Sequence, residues 1–131
     1  MRFPSGFLVL GLMAILACGC SDAKKFPIAK VRGKVTFNGQ PVPDAVVTFS
    51  PQAAGAAGES KEVGKGAAGT TDQEGVYVLS TYGQGDGAQV GKHNVTVGAS
   101  DANKPLAGKS PPNLVLEVKP GNNDLPIELV K

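Results

Sequence analysis

The residues able to do chemistry are few. The chain carries one histidine, His93, two cysteines, Cys18 and Cys20, two tyrosines and no tryptophan. A zinc site takes three or four nitrogen or sulfur ligands, and past the N-terminal cysteines only His93 could contribute one. Serine hydrolysis needs a base, an orienting acid and a nucleophile, and no Gly-x-Ser-x-Gly elbow occurs. His93 stands in an alternating apolar run and reads as a partly buried strand residue. Carboxylates could bind calcium. Asp72, Glu74 and Asp86 are the candidates, all in expected turns. However, Asp72-x-Glu74-Gly75 lacks the full calcium-loop pattern, and turn aspartates ordinarily satisfy their own backbone. The glycines from Gly83 to Gly87 open no helix, so they do not read as a phosphate cradle. Asn94-Val95-Thr96 matches a glycosylation sequon but falls on an expected strand, which reads as chance. The expectation is a protein without catalytic residues, cofactor or bound metal.

Composition sets the frame around those residues. Of 131 residues, 18 are glycine and 10 proline, about a fifth of the chain against roughly an eighth on average. So much punctuation argues against a large helical protein. At 41% hydrophobic the chain is too apolar to be wholly disordered, and it is too short for two ordinary domains. Thirteen basic residues against eleven acidic ones leave a net charge of +2. That balance excludes nucleic acid as the main partner.

The N-terminus reads as an address. Arg2 precedes an uncharged apolar run at residues 6–17, twelve residues long. A membrane-spanning helix needs about 20, so the run reads as the apolar stretch of a signal peptide. Ile15-Leu16-Ala17-Cys18-Gly19-Cys20 follows, and here the chain resembles a bacterial lipoprotein precursor. The resemblance implies a lipid on Cys18, which has the aliphatic residue at minus three, with Cys20 as the alternative. Two or three acyl chains would then anchor the mature protein stably. The residue after either cysteine is not aspartate, which under the enteric sorting rule favours the outer membrane. A disulfide between Cys18 and Cys20 would close a tiny strained loop. Residues 1–17 are thus expected to be a cleaved signal, residues 18–29 a polar tether, and residues 30–131 the folded domain.

From residue 30 the pattern is one of short strands. Val31, Val35 and Phe37 alternate with Lys30, Arg32, Lys34 and Thr36, which predicts a half-buried strand with one wet, basic face. That face reads as solvated, with a partner surface as the alternative. Asn38-Gly39 is a strong hairpin-turn signal. Ala45, Val47 and Phe49 point inward from a second strand. Residues 51–69 read as a long mobile loop and not as a strand. Asp72 and Gly75 turn the chain into a third strand over residues 76–82, with Tyr77 and Leu79 inward. Residues 83–91 read as a second flexible loop. A fourth strand over residues 92–99 turns His93, Val95 and Val97 to one side. Residues 114–118 and 125–130 are expected to form a closing hairpin, with Pro126 placing the last strand at an edge. Six or seven short strands with turns between them predict an all-β fold, a small antiparallel sandwich.

The series Gly33-x-Val35, Asn38-Gly39-x-Pro41-Val42-Pro43-Asp44-Ala45-x-Val47-x-Phe49, Thr71-Asp72-x-x-Gly75-x-Tyr77-x-Leu79 and Gly91-x-His93-x-Val95-x-Val97 resembles the carboxypeptidase-regulatory-like family, with its transthyretin-like or prealbumin-like sandwich. Together with Lys119-Pro120-Gly121-Asn122-Asn123-Asp124 it is similar to small predicted lipoproteins of planctomycetes. The family usually has an aromatic where this chain has His93. Related folds include 5-hydroxyisourate hydrolase, which uses several histidines and a C-terminal Tyr-Arg-Gly-Ser, and the intradiol dioxygenases, which hold iron with two tyrosines and two histidines. One histidine and the ending Glu128-Leu129-Val130-Lys131 fit neither. The resemblance therefore implies a non-enzymatic, membrane-anchored envelope protein with a structural, adhesion or scaffolding role. A second expectation is a module that binds carbohydrate or peptide through its glycine-rich loops. Either an envelope protein or a glycan would be the partner.

Overall fold

The structure is a computed structural model that describes residues 26–52 and 64–131. Ten strands and no helix make up the described residues. They are β1 (Ile28–Phe37), β2 (Gln40–Pro41), β3 (Ala45–Pro51), β4 (Ala67–Thr70), β5 (Val76–Val78), β6 (Ala88–Gln89), β7 (Gly91–Ala99), β8 (Val115–Val118), β9 (Asn122–Asp124) and β10 (Ile127–Glu128). The fold is the expected all-β sandwich of two sheets.

One sheet is organised around β1, whose ten residues are shared among five short partners. Along one edge β6, β5 and β2 pair antiparallel with Ile28–Ala29, Arg32–Lys34 and Thr36–Phe37. Along the other, β9 and β10 run parallel to Lys30–Arg32 and Val35–Thr36. The second sheet has the order β4-β3-β7-β8 and is antiparallel throughout. Strand alternation sends one side chain in two inward. Ala29, Val31 and Val35 thus face Ala45, Val47, Phe49, Val95 and Val97 in a single core, which Tyr77, Leu79, Val118, Ile127 and Leu129 complete. A bridge at Ala68–Ser80 links β4 to the chain just past β5, and one at Lys109–Val130 ties the connection after β7 to the C-terminal segment.

Most inward positions are as expected, and so is the Asn38-Gly39 turn. Both residues take positive φ, 52° and 79°, which a two-residue hairpin of the mirror-image type requires. Three expectations are corrected. First, residues 67–69 are not loop: β4 pairs with β3 from Val46 to Phe49. Its Ala and Gly content reflects crowding, since a Cβ on Gly69 would lie 2.3 Å from the Val78 carbonyl oxygen. Residues 53–63 of the same expected loop lie outside the described residues. Second, the stretch 83–91 contains β6. Ala88 is buried, and a Cβ on Gly87 would come within 1.8 Å of the Ala29 carbonyl oxygen. Third, residues 114–118 and 125–130 form no hairpin. β8 joins β7 in the second sheet, while β9 and β10 cross to the first. Alternation specifies a face for each strand but not a neighbour, so it did not separate these pairings. The third strand is also shorter than expected, ending at Val78 with one further bridge at Ser80.

Candidate functional site

His93 lies on β7 at 0% exposure. Its Nε2 is 2.6 Å from the Gln89 carbonyl oxygen, to which it donates, and its ring centroid is 5.5 Å from that of Phe49. The other nitrogen, Nδ1, is buried with no hydrogen-bond partner, as is Gln89 Oε1. The imidazole thus packs as an aromatic would and does not open to solvent.

The turn carboxylates are occupied by backbone. Asp72 Oδ1 accepts from the N–H groups of Glu74 and Val76, at 2.9 and 3.0 Å, just before β5. On the loop after β5, Asp86 accepts from Thr81 N at 2.7 Å, Gly83 N at 2.8 Å and Tyr82 N at 3.0 Å. Desolvation pushes the Asp86 carboxyl up, but the N–H groups of Thr81, Gly83, Tyr82 and Asp86 itself together outweigh it and hold the group below the usual carboxylate range. Among the described residues, no three His, Cys, Asp or Glu side chains gather as a metal cluster would. Asp72, Glu74 and Asp86 are therefore not brought together. Cys18 and Cys20 lie outside the described residues.

Three further polar residues hold the frame, and sequence reasoning missed their roles. Buried Thr71 donates from Oγ1 to the Val42 carbonyl at 2.7 Å and accepts from Ala45 N at 2.8 Å. Asn123 accepts from Lys119 N at 2.9 Å and donates through Nδ2 to the carbonyls of Lys119 and Lys30. Its amide thereby mimics a strand neighbour where the chain crosses between sheets. The Tyr77 hydroxyl donates to the Leu125 carbonyl. Burial, with the Asp124 charge adding to it, raises the Tyr77 pKa far above its ordinary value. The first two signals were present as Thr71-Asp72-x-x-Gly75 and Asn122-Asn123, but read as turns only.

The outer face of the β1 sheet carries a groove of about 600 Å³. Lys30, Arg32, Val78, Gly85, Asn122 and Asp124 are among the residues lining it. The register explains their meeting. Lys30 and Arg32 point outward from β1, with Asn122 and Asp124 as their partners on β9, and Val78 faces Arg32 from β5. Lys30 Nζ donates to the Gly85 carbonyl at 2.9 Å and ties the 83–87 loop down as one wall. The Arg32 guanidinium has no hydrogen bond or ion pair with any described residue, although the Arg32 carbonyl accepts from Leu125 N at 2.9 Å. Val78 is 49% exposed and supplies an apolar strip. The groove thus offers an uncommitted guanidinium, a carboxylate and an amide side by side. Lys34 continues the basic stripe but lies outside the groove lining.

No protein-family model matches the chain, and no curated protein matches it. Among solved structures it is similar to a DUF3823 family protein from Parabacteroides merdae, at 19% identity and a TM-score of 0.43, over 81% of this chain. The chain spans 47% of that neighbour's length.

Proposed function

We propose that the chain is a non-enzymatic, lipid-anchored β-sandwich protein of the bacterial cell envelope, of the carboxypeptidase-regulatory-like type, with a structural, adhesion or scaffolding role. The observation that carries this reading is how its chemistry-bearing side chains are used. His93 is sealed in the core on the Gln89 carbonyl, Tyr77 is spent on the Leu125 carbonyl, and Asp72 and Asp86 hold backbone N–H groups. His93 and Tyr77 are buried, and the two carboxylates, though they reach solvent, are each engaged by two or more backbone N–H groups. The anchor would be Cys18, or Cys20 in its place, and a short tether would hold β1 close to the membrane. Crosslinking in intact cells tests the role: the protein should be captured with an envelope component. Reproducible turnover by the purified chain across a hydrolase substrate panel would overturn the non-enzymatic reading.

A second reading, a ligand-binding module, is favoured by one observation. The glycine-rich 83–87 loop is held by Lys30 and Asp86 as the wall of the groove on the β1 sheet, and sandwich domains gather function at such loops. A glycan array without hits would sink it.

A further inference from the structure

We infer that the groove on the outer face of the β1 sheet is a binding site for a carboxylate-bearing sugar, with Arg32 as the residue that receives the carboxylate. This deepens the second reading and does not depend on the lipid anchor.

The argument starts from Arg32. A guanidinium presents a planar fork of donors that matches a carboxylate. Arg32 stands in the middle of β1, flanked by Val78 on one side and Asp124 on the other, and is bound to neither. Lys30, two residues away on the same face, adds a second positive charge at the loop wall. A carboxylate is the complement of that end of the groove.

The rest of the groove selects what carries the carboxylate. Asn122 offers both a donor and an acceptor, and Asp124 offers acceptors, arranged beside Arg32 by the parallel β1–β9 pairing. Hydroxyl groups satisfy such a set. Peptides are bound largely through main-chain bonds at an open sheet edge, but here the β1 backbone is paired on both sides, with β5 and with β9. Apart from the Gly85 backbone at the loop wall, side chains line the groove, which suits a ligand with polar groups of its own. An acidic monosaccharide unit, with its carboxylate on Arg32, its hydroxyls on Asn122 and Asp124 and a ring face on Val78, meets each of these conditions.

The test is calorimetric titration of the full-length chain with trigalacturonate, its neutral methyl ester and triglutamate. Saturable binding of trigalacturonate is expected, with the methyl ester and triglutamate each about tenfold weaker or worse. Arg32→Gln should weaken trigalacturonate binding about tenfold, and Arg32→Lys should recover only part of it, because the charge returns without the fork. Lys34→Gln removes the same charge from the same face outside the groove and should leave binding nearly unchanged. An unaltered melting temperature shows that Arg32→Gln is folded. Absence of saturable trigalacturonate binding overturns the inference. So does an equal loss in Lys34→Gln and Arg32→Gln, which would mean diffuse attraction. Triglutamate binding as tightly as the sugar also overturns it, in favour of an acidic peptide.

Discussion

Gly33 and Tyr77 are partners across the β1–β5 pair, and the tyrosine hydroxyl reaches past the glycine to the Leu125 carbonyl. A Cβ at position 33 would sit 2.1 Å from that carbonyl oxygen and 2.7 Å from the hydroxyl. One missing side chain therefore lets three segments meet: β1, β5 and the link between β9 and β10. Gly33→Ala should destabilise by about 3 kcal/mol, the upper range for forcing atoms into a packed site against backbone. Tyr77→Phe should cost about 1–2 kcal/mol by leaving the Leu125 carbonyl short of a donor. Denaturant unfolding of the two variants checks both. A Gly33→Ala protein as stable as the parent would contradict the crossing described.

The same tyrosine predicts an alkaline limit. Burial first, and the Asp124 charge second, raise its pKa in the folded state. The unfolded chain loses the phenolic proton near pH 10, while the folded chain keeps it. Stability from this group is thus complete below about pH 10 and falls as pH rises beyond it. Unfolding curves at pH 8 and above pH 10 should show the parent losing more stability than Tyr77→Phe. Equal losses would contradict the burial.

Asp86 predicts the acid side. Its folded-state pKa is held down by backbone N–H groups, so its contribution is present above about pH 4, the unfolded value, and lost as pH falls through the folded value. Asp86→Asn should be less stable than the parent at pH 7, and the gap should close in acid. The Asp101 carboxylate accepts from a single backbone N–H, that of Asn103. Asp101→Asn is therefore the control, expected to show a smaller effect at pH 7.

His93 separates a packing role from a chemical one. His93→Ala should cost about 3 kcal/mol through the cavity it leaves beside Phe49. His93→Phe keeps a ring against Phe49 and removes the orphaned Nδ1, but it adds volume and takes the donor from the Gln89 carbonyl. These effects oppose in part, so it should be destabilised by less than His93→Ala. A His93→Phe protein that folds and anchors normally, with its envelope partner retained, is the expected outcome.

Wherever period-two alternation decides the matter, the sequence reads well. Val31 and Val35, Ala45 to Phe49, Tyr77 with Leu79, and His93 to Val97 all face the core as their spacing implies. Local turn chemistry is equally legible at Asn38-Gly39 and Asp72 to Gly75. What alternation does not carry is which strands meet. β4 and β6 are built of Ala, Gly and Gln, with Thr70 their one β-branched residue of the kind that marks strands, because Gly69 in β4 packs tightly against β5 and Gly87 beside β6 against β1. The return of β9 and β10 alongside β1 depends on Gly33 and on the Asn123 side chain, contacts made across great distances in sequence. Likewise the groove was visible only as a basic stripe. Its other wall, Asn122 and Asp124, comes from a segment that reads as a turn.

The central claim is a membrane-anchored module, and the intact mass of the membrane-extracted protein tests it most directly. The parent, Cys18→Ser and Cys20→Ser should be compared. The account predicts a parent chain cleaved before Cys18 and carrying two or three acyl chains, with both changes abolished in Cys18→Ser and kept in Cys20→Ser. The reverse pattern would move the anchor by two residues. An unacylated parent released free from the cell would contradict the account.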